Sequence, residues 1–247
     1  MIPGTDASHL QIFGHPVALQ GPLAVLGLIV GQLIFVRQLR HTAPISLLQA
    51  DLLSFALLAA AVVSGHFFAL ALLPTERPLW QLASPQSTLG ALLGAGLTGI
   101  LLARRLKLPL VLLLDAAALA FAHGWPLVRL GCALAHDHPG RHLNFPLAVQ
   151  FPDGPRLDLG LLEWLVSLLL LVYVRQLQKR DLLAGELASR SLLLFATARL
   201  GLELLRVDTQ AELLIPSQLL AIFLCIFAIL LGIGLKRQSR IQALFLR

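Results

Sequence analysis

Charged residues are scarce in this sequence of 247 residues: Asp, Glu, Lys and Arg make up 13%, against 57% hydrophobic residues and a mean hydropathy of +0.81. A soluble globular domain carries about 25% charged residues, so the composition excludes that class. The net charge of +6 does not indicate a nucleic-acid-binding protein, because the basic residues stand at the ends of apolar runs. The sequence predicts an integral membrane protein.

Cysteine is also scarce, with Cys132 in a polar stretch and Cys225 inside an apolar run. We expect no disulfide between them, and neither lies in a CxxC or other zinc-type spacing. The sequence contains neither the zinc-protease motif HExxH nor the phosphate-binding P-loop motif GxxxxGK[ST]. Because no basic segment precedes the first apolar run, we expect no cleaved signal peptide and a retained first anchor.

Seven apolar segments approach the roughly 20 residues that a membrane-spanning helix needs. They lie at about 16–36, 45–73, 88–103, 108–125, 159–174, 187–206 and 216–235. The third and fifth are short and span only if they extend into their polar flanks. The segments do not alternate apolar with polar residues, which argues against a β-barrel. We predict an all-α polytopic membrane protein, a single transmembrane domain over residues 1–247 with no soluble module.

Basic residues collect after the first, third, fifth and seventh segments. They are Arg37, Arg40, Arg104, Arg105, Lys107, Arg175, Lys179, Arg180, Lys236, Arg237 and Arg240. In a seven-span protein these ends share one side, which the positive-inside rule makes cytoplasmic. We therefore predict the N-terminus outside, the C-terminus in the cytoplasm, and a polar loop region at about 124–158 on the outer face.

The polar stretch from His123 to Glu163 holds four of the eight histidines, and its glycines and prolines exclude one continuous helix. Within it, His136, Asp137 and His138 have three interpretations. Imidazole and carboxylate groups suit acid–base catalysis, they suit a zinc or iron site, and they also suit a hydrogen-bonded loop that stiffens the outer surface. A region of this polarity in so apolar a chain is where we expect the chemistry.

The sixth segment carries Arg199, Glu203 and Arg206, spaced four and three residues apart and therefore on one helical face. One interpretation is that Glu203 pairs with both arginines and only fixes helix packing. The other follows from the surplus of one positive charge, because an arginine fork near a membrane surface suits the phosphate of a lipid headgroup. Arg129, just past the fourth segment, either extends to the headgroups or joins such a site.

These residues resemble motifs of the bacterial prolipoprotein diacylglyceryl transferase family. Val128 to Ala133 reads VRLGCA, followed by Asp137, Gly140 and PLAVQF at 146–151, which is similar to the family's G-R-x-G-N-F signature and its continuation. The segment 199–206, RLGLELLR, resembles the motif R-F-x-x-E-x-x-R, and IPSQLL at 215–220 resembles the start of the last span. The resemblance covers about Gly21 to Lys236 and agrees with the family's seven spans and outside N-terminus.

The resemblance implies transfer of a diacylglyceryl group from phosphatidylglycerol to the lipobox cysteine thiol in the signal peptide of exported prolipoproteins. The thiol attacks the glycerol carbon that bears the phosphate ester, and glycerol phosphate leaves. The implied setting is the bacterial inner (plasma) membrane, with membrane lipids as further partners and no nucleic acid. By this resemblance Arg129 and Arg199 hold the lipid phosphate and Glu203 and Arg206 brace the site. Asp137 occupies the acidic position of the signature and Gly140 its glycine.

The sequence departs from the family pattern at Leu89, where the family has a histidine implicated in catalysis, and at Cys132, where it has asparagine. Gln20 stands for a tyrosine, and Glu163 is kept. We hypothesise that His136 or His138 activates the thiol, with Asp137 orienting the chemistry. Two alternatives stay open: a phospholipid-binding homologue without catalysis, and a metal-dependent enzyme that uses the histidine cluster. The transferase is favoured, and we predict no cofactor and no metal site.

Overall fold

The computed structural model describes residues 9–12, 15–72, 87–146, 148–206 and 216–245. These residues form seven helices: α1 Gln20–Thr42, α2 Leu47–Leu72, α3 Thr88–Arg105, α4 Leu110–Ala135, α5 Leu159–Leu177, α6 Glu186–Glu203 and α7 Pro216–Phe245. They also form five short strands: β1 His9–Ile12, β2 His15–Ala18, β3 Pro139–His142, β4 Val149–Phe151 and β5 Gly154–Asp158. β1 and β2 pair antiparallel, and the other three make an antiparallel sheet in the order β3-β5-β4.

Five helices in the described ranges are long and apolar enough to cross a membrane: α1, α2, α4, α5 and α7. α3 ends in Arg104 and Arg105, and α6 carries four charged residues, which lowers the hydropathy of both. An all-α membrane protein therefore fits the sequence prediction. The number of seven spans, their orientation and the single transmembrane domain stay predictions.

The fourth helix is longer than the sequence predicted. α4 runs through Pro126 to Ala135, so the expected end at 125 and an irregular loop from 124 were both wrong. Proline removes a single backbone donor, and helices of membrane proteins tolerate that loss where neighbouring groups satisfy the freed carbonyl. The rest of the polar stretch is a three-stranded sheet and not an irregular loop.

Other helix boundaries also differ from those that the sequence predicted. α1 begins at Gln20 and not at 16, because His15–Ala18 pairs with β1 as a strand. α1 and α7 continue past their apolar runs, to Thr42 and Phe245, because arginine, lysine and glutamine favour helix as strongly as leucine does. α6 ends at Glu203, since the backbone at Arg206 bridges to β3.

Residues Phe35–Ala116 form one compact unit, in which α2 packs against α3. Small residues allow this close packing. A Cβ at Gly90 would lie 2.6 Å from the Ser64 carbonyl oxygen, and one at Gly94 would lie 2.7 Å from the Ala60 carbonyl oxygen. Side chains larger than hydrogen would separate the two helices, as in other close helix pairs of membrane proteins.

Met1–Ile34 and Ala117–Arg247 form the second compact unit, which contains the candidate site. Its hydrophobic core joins three helices at Leu119 and Ala122 of α4, Leu170 and Val174 of α5, and Leu187 of α6. α6 also packs on α7, where the Ser189 hydroxyl donates to the Ala228 carbonyl oxygen at 2.8 Å. This packing fixes the relative positions of the polar residues that α4, α5 and α6 carry beyond the core.

Candidate functional site

A buried glutamate at the end of α6 lies between two arginines. The Glu203 side chain is 1% exposed, and its Oε1 lies 2.5 Å from Arg199 NH2 and 3.3 Å from Arg206 NH1. Helical spacing places Arg199 beside Glu203, whereas Arg206 reaches the same carboxylate from the turn that follows α6. Because Glu203 is buried, its charge depends on these two cationic partners.

Glu163 of α5 connects this helix to α4. Its Oε2 lies 2.7 Å from Arg129 NH2, and its Oε1 accepts a hydrogen bond from Arg199. The resulting arginine–glutamate network consists of Arg129, Glu163, Arg199, Glu203 and Arg206. It contains three guanidinium groups and two carboxylates. The family resemblance matched Glu163 to a family position but gave this residue no role. Its contacts with Arg129 of α4 and Arg199 of α6 depend on the packing of α5 against α6, which the sequence does not show.

Aromatic rings border the network on its apolar side. The Arg129 guanidinium carbon lies 4.7 Å from the centre of the Trp125 ring, a cation–π geometry. Trp125 stacks on Phe121, and Phe121 meets Phe195 edge to face, with both pairs of ring centres 4.9 Å apart. Arg129 therefore contacts both the Trp125 ring and the Glu163 carboxylate.

A shallow cleft, open to its surroundings, lies beside the network. Its lining comprises Trp125, Glu163, Val166, Phe195, Arg199 and Leu202. Charged and apolar side chains therefore both line the cleft. Within the described residues, the buried Nε of Arg129 has no hydrogen-bond partner, and Glu163 Oε2 contacts Arg129 without a well-directed hydrogen bond. The network therefore retains hydrogen-bonding capacity that its own members do not use.

His136 directly follows the end of α4, and its contacts support the fold. Its backbone is left-handed, with φ of 48°, a conformation that ends helices. Its Nδ1 pairs with Asp158, which is 1% exposed and caps α5 by accepting the Leu161 N–H at 3.2 Å. His136 therefore connects the end of α4 to the start of α5, and its ring is already engaged.

Asp137 and His138 lie beside Cys132. Asp137 and His138 pair with each other, and one donor or acceptor atom from each of the three residues lies within 4.8 Å of the other two. The Gln20 amide donates to Cys132 Sγ at 3.6 Å and to Asp137 Oδ2 at 3.5 Å. We call Cys132, Asp137 and His138 the Cys–Asp–His cluster. Arg129 NH1 donates to Cys132 Sγ at 3.6 Å, so the cluster adjoins the arginine–glutamate network.

Gly140 brings the sheet against the end of α6. The backbone of Gly140 bridges to Arg206, and the neighbouring Arg141 N–H donates to the Leu205 carbonyl oxygen at 3.1 Å. A Cβ at Gly140 would lie 2.9 Å from the Leu157 carbonyl oxygen and 3.2 Å from that of Leu205, so only glycine fits without a shift. Gly140 thus fixes the position of Arg206 through the backbone.

The hairpin between β4 and β5 carries a separate ion pair. Arg156 donates from Nε to Asp153 Oδ1 at 2.9 Å and from NH1 to the Gly140 carbonyl oxygen at 3.2 Å. The Arg156 hydrogen bond holds the pKa of the exposed Asp153 carboxyl below its usual range, and the pKa of Arg156 is raised in turn. This pair ties the hairpin to β3 and does not take part in the candidate site.

Comparison with known proteins identifies the family of this chain. Residues 8–235 match the family model described as "Prolipoprotein diacylglyceryl transferase". The chain belongs to the prolipoprotein diacylglyceryl transferase family. It is 31% identical over 134 residues to the phosphatidylglycerol–prolipoprotein diacylglyceryl transferase of Frankia alni. That alignment covers 51% of this chain and 36% of the relative, so it spans about a third of the relative's length.

The structure shows the surroundings of the two residues, Leu89 and Cys132, at which the sequence departs from the family motifs. Leu89 lies in α3 with 38% of its surface exposed, and a leucine side chain cannot transfer a proton. Cys132 is buried and lies against Arg129, Asp137, His138 and Gln20. The departure at 132 therefore introduces a thiol directly beside the arginines of the candidate site.

Proposed function

We propose that this protein transfers a diacylglyceryl group from phosphatidylglycerol to the cysteine thiol of an exported prolipoprotein signal peptide. The observation that carries the proposal is the convergence of the Arg129 and Arg199 guanidinium groups on Glu163, with a buried unused donor at Arg129 Nε, beside a cleft lined by charged and apolar side chains. A phosphodiester headgroup carries one negative charge and an apolar diacylglycerol, so it complements both features. Membership of the family supports the same reaction.

In this proposal the lipid phosphate binds to Arg129 and Arg199. The buried Nε of Arg129 supplies an unused donor, and charge-assisted hydrogen bonds from a planar guanidinium suit phosphate oxygens. Glu163 and Glu203 hold the arginines in place and set the local charge. As glycerol phosphate leaves, negative charge grows on its oxygens, and fixed positive groups stabilise that charge. Arg206 and Gly140 support the network from the end of α6 and from β3.

The hypothesis on thiol activation narrows from three residues to two. His136 is engaged with the buried Asp158, which favours a structural role. Asp137 and His138 lie next to Arg129 through Cys132, and each is about one-third exposed. We therefore place activation of the substrate thiol at Asp137 and His138. We also propose seven spans, with the N-terminus and the sheet on the outer side of the bacterial inner membrane.

One observation favours a second function, a phospholipid-binding homologue without catalysis. Leu89 occupies the position at which the family has its implicated histidine, and it offers no acid–base group. In that case the network would bind the same lipid and no transfer would follow. A transfer assay separates the two functions, whereas lipid binding is common to both.

Binding of phosphatidylglycerol to Arg199 variants tests the lipid site. We expect R199A to weaken binding by about 10- to 150-fold, because a hydrogen bond to a charged group contributes about 1.5–3 kcal/mol. R199K should also bind more weakly, since lysine lacks the planar fork. R190A is the matched control, because Arg190 pairs with Glu186 in the first turns of the same helix and should leave binding unchanged. Wild-type affinity in a folded R199A and R199K would contradict the site.

A further inference from the structure

We propose that Cys132, Asp137 and His138 form a zinc site with an open fourth position, which binds the substrate cysteine as a thiolate. The inference rests on the proposed transfer function and names how its thiol is activated. It replaces our sequence-based prediction of no metal site. The reason is geometric: α4 ends next to Cys132, and the following turn returns Asp137 and His138 to the same point.

The three side chains have the composition of a catalytic zinc site. Thiolate, imidazole and carboxylate are the ligands that zinc prefers, and catalytic sites use three protein ligands and leave the fourth position open. Within the described ranges, these are the residues whose ligand atoms all lie within 4.8 Å of one another. In a tetrahedral site the ligand atoms lie roughly 3.3–3.8 Å apart, so binding requires movements of about 1 Å.

Two acceptors of the cluster converge on one point. The Gln20 amide nitrogen lies there, 3.6 Å from Cys132 Sγ and 3.5 Å from Asp137 Oδ2, and a zinc ion would displace this amide to bind the same two atoms. A zinc ion there would be neutralised by one thiolate and one carboxylate. Arg129 would donate to the metal-bound sulfur from the outer shell, as its NH1 lies 3.6 Å from Cys132 Sγ. Cys132 is buried, while Asp137 and His138 are about one-third exposed, which leaves an approach from outside.

Zinc would activate the substrate thiol without the histidine base that Leu89 replaces. Zinc deprotonates a coordinating thiol outright, so no histidine base is needed at the moment of transfer. The substrate S–H proton goes to water when the sulfur binds zinc. The sulfur then forms a bond to the glycerol carbon, the carbon–oxygen bond to the phosphate breaks, and its electron pair leaves with glycerol phosphate. The arginine–glutamate network receives that leaving group next to the metal, through Arg129.

The first test measures metal content. The full-length protein in lipid nanodiscs is stripped with a chelator, incubated with zinc and desalted. We expect about one zinc per chain in the wild type and in C225A, which removes the other cysteine, and a loss of zinc in C132A. A small apolar residue suits the buried position of Cys132, so C132A should fold. Zinc retained by C132A, or absent from the wild type, would overturn the site.

The second test uses cobalt(II) in place of zinc and does not depend on transfer. The loaded wild type should show a thiolate-to-cobalt charge-transfer band, absent in C132A. A lipobox peptide should strengthen this band when it carries cysteine and leave it unchanged when it carries serine. An identical response to both peptides would overturn substrate coordination.

Transfer assays then separate the inference from the proposed function. Transfer that a chelator abolishes and zinc restores supports both. Transfer at an unchanged rate in the zinc-free protein would overturn the zinc role and leave the proposed function standing. A zinc-loaded protein that coordinates the cysteine peptide but transfers nothing supports the metal site and contradicts the proposed function.

Discussion

The charge balance of five side chains decides what the candidate site is able to bind. Glu163 and Glu203 are both buried, and each contacts two arginines, so neither carboxylate is without a cationic partner. The three arginines are partly exposed, so an anion from outside the network can reach them. A bound phosphodiester would accept charge-assisted hydrogen bonds from these guanidinium groups.

Removal of the Glu163 charge tests whether this residue holds the arginine–glutamate network together. We expect E163Q to destabilise the protein by about 3 kcal/mol, because breaking one side of a buried ion pair leaves uncompensated charge. E186Q is the control: its partner Arg190 is 36% exposed, and such surface pairs contribute about 0–1 kcal/mol. Denaturation in detergent gives both values. Equal stability of the two variants would show that Glu163 is not a structural bridge.

Sequence spacing identified only contacts between residues close in the chain. It predicted Arg199, Glu203 and Arg206 as a group on one helical face. The three are together, but α6 ends at Glu203, so Arg206 joins from the following turn and not from the helix. Glu163 and Arg129 belong to other helices, and their contacts depend on tertiary packing that no spacing encodes. His136 and His138 were equivalent in sequence, and only the buried Asp158, 22 residues further on, distinguishes them.

At the scale of elements, the small sheet is attached to the helix ends that carry the site. β3 bridges to Arg206, Arg156 of β5 donates to the Gly140 carbonyl oxygen, and Asp158 ends β5 and caps α5. The sheet therefore connects the starts and ends of three helices. These contacts fix the end of α4, the start of α5 and the end of α6 relative to one another.

A methyl group at Gly140 tests this attachment. We expect G140A to lower stability by about 1–3 kcal/mol and to weaken phosphatidylglycerol binding, because the added Cβ would press on two backbone carbonyls and displace Arg206. G201A in α6 is the matched control, since its Cβ would meet no atom within 4 Å. Binding and unfolding measured together decide the question. Unaltered lipid affinity in G140A would separate the sheet from the site.

The helices were predictable from their apolar runs, whereas the polar stretch was not. Continuous leucine-rich segments leave few alternatives to a helix in a membrane. Pro126 wrongly indicated the end of α4, although the helix continues through it. The loss of one backbone hydrogen bond costs less than the packing of α4 contributes. Strands of three to five residues without apolar alternation give no periodic signal, so the sheet appeared as a loop.

At the scale of the whole molecule, the proposed reaction requires the site to face outward, where exported prolipoproteins arrive. The exposed Asn144 follows β3 and reports the side on which the sheet lies. In a C225A background, we expect N144C to react with a membrane-impermeant thiol reagent added from outside. K179C, in a basic cluster, should react only after the membrane is opened. The reverse pattern would overturn the orientation.

The central claim is that the chain catalyses diacylglyceryl transfer, and one measurement tests it most directly. Purified wild-type protein is incubated with zinc, phosphatidylglycerol and a lipobox peptide, and the peptide mass is followed together with release of glycerol phosphate. We predict a thioether-linked diacylglyceryl peptide and an equal amount of glycerol phosphate, both lost in R199A and retained in R190A. A folded wild-type protein that binds phosphatidylglycerol yet yields neither product would contradict the account.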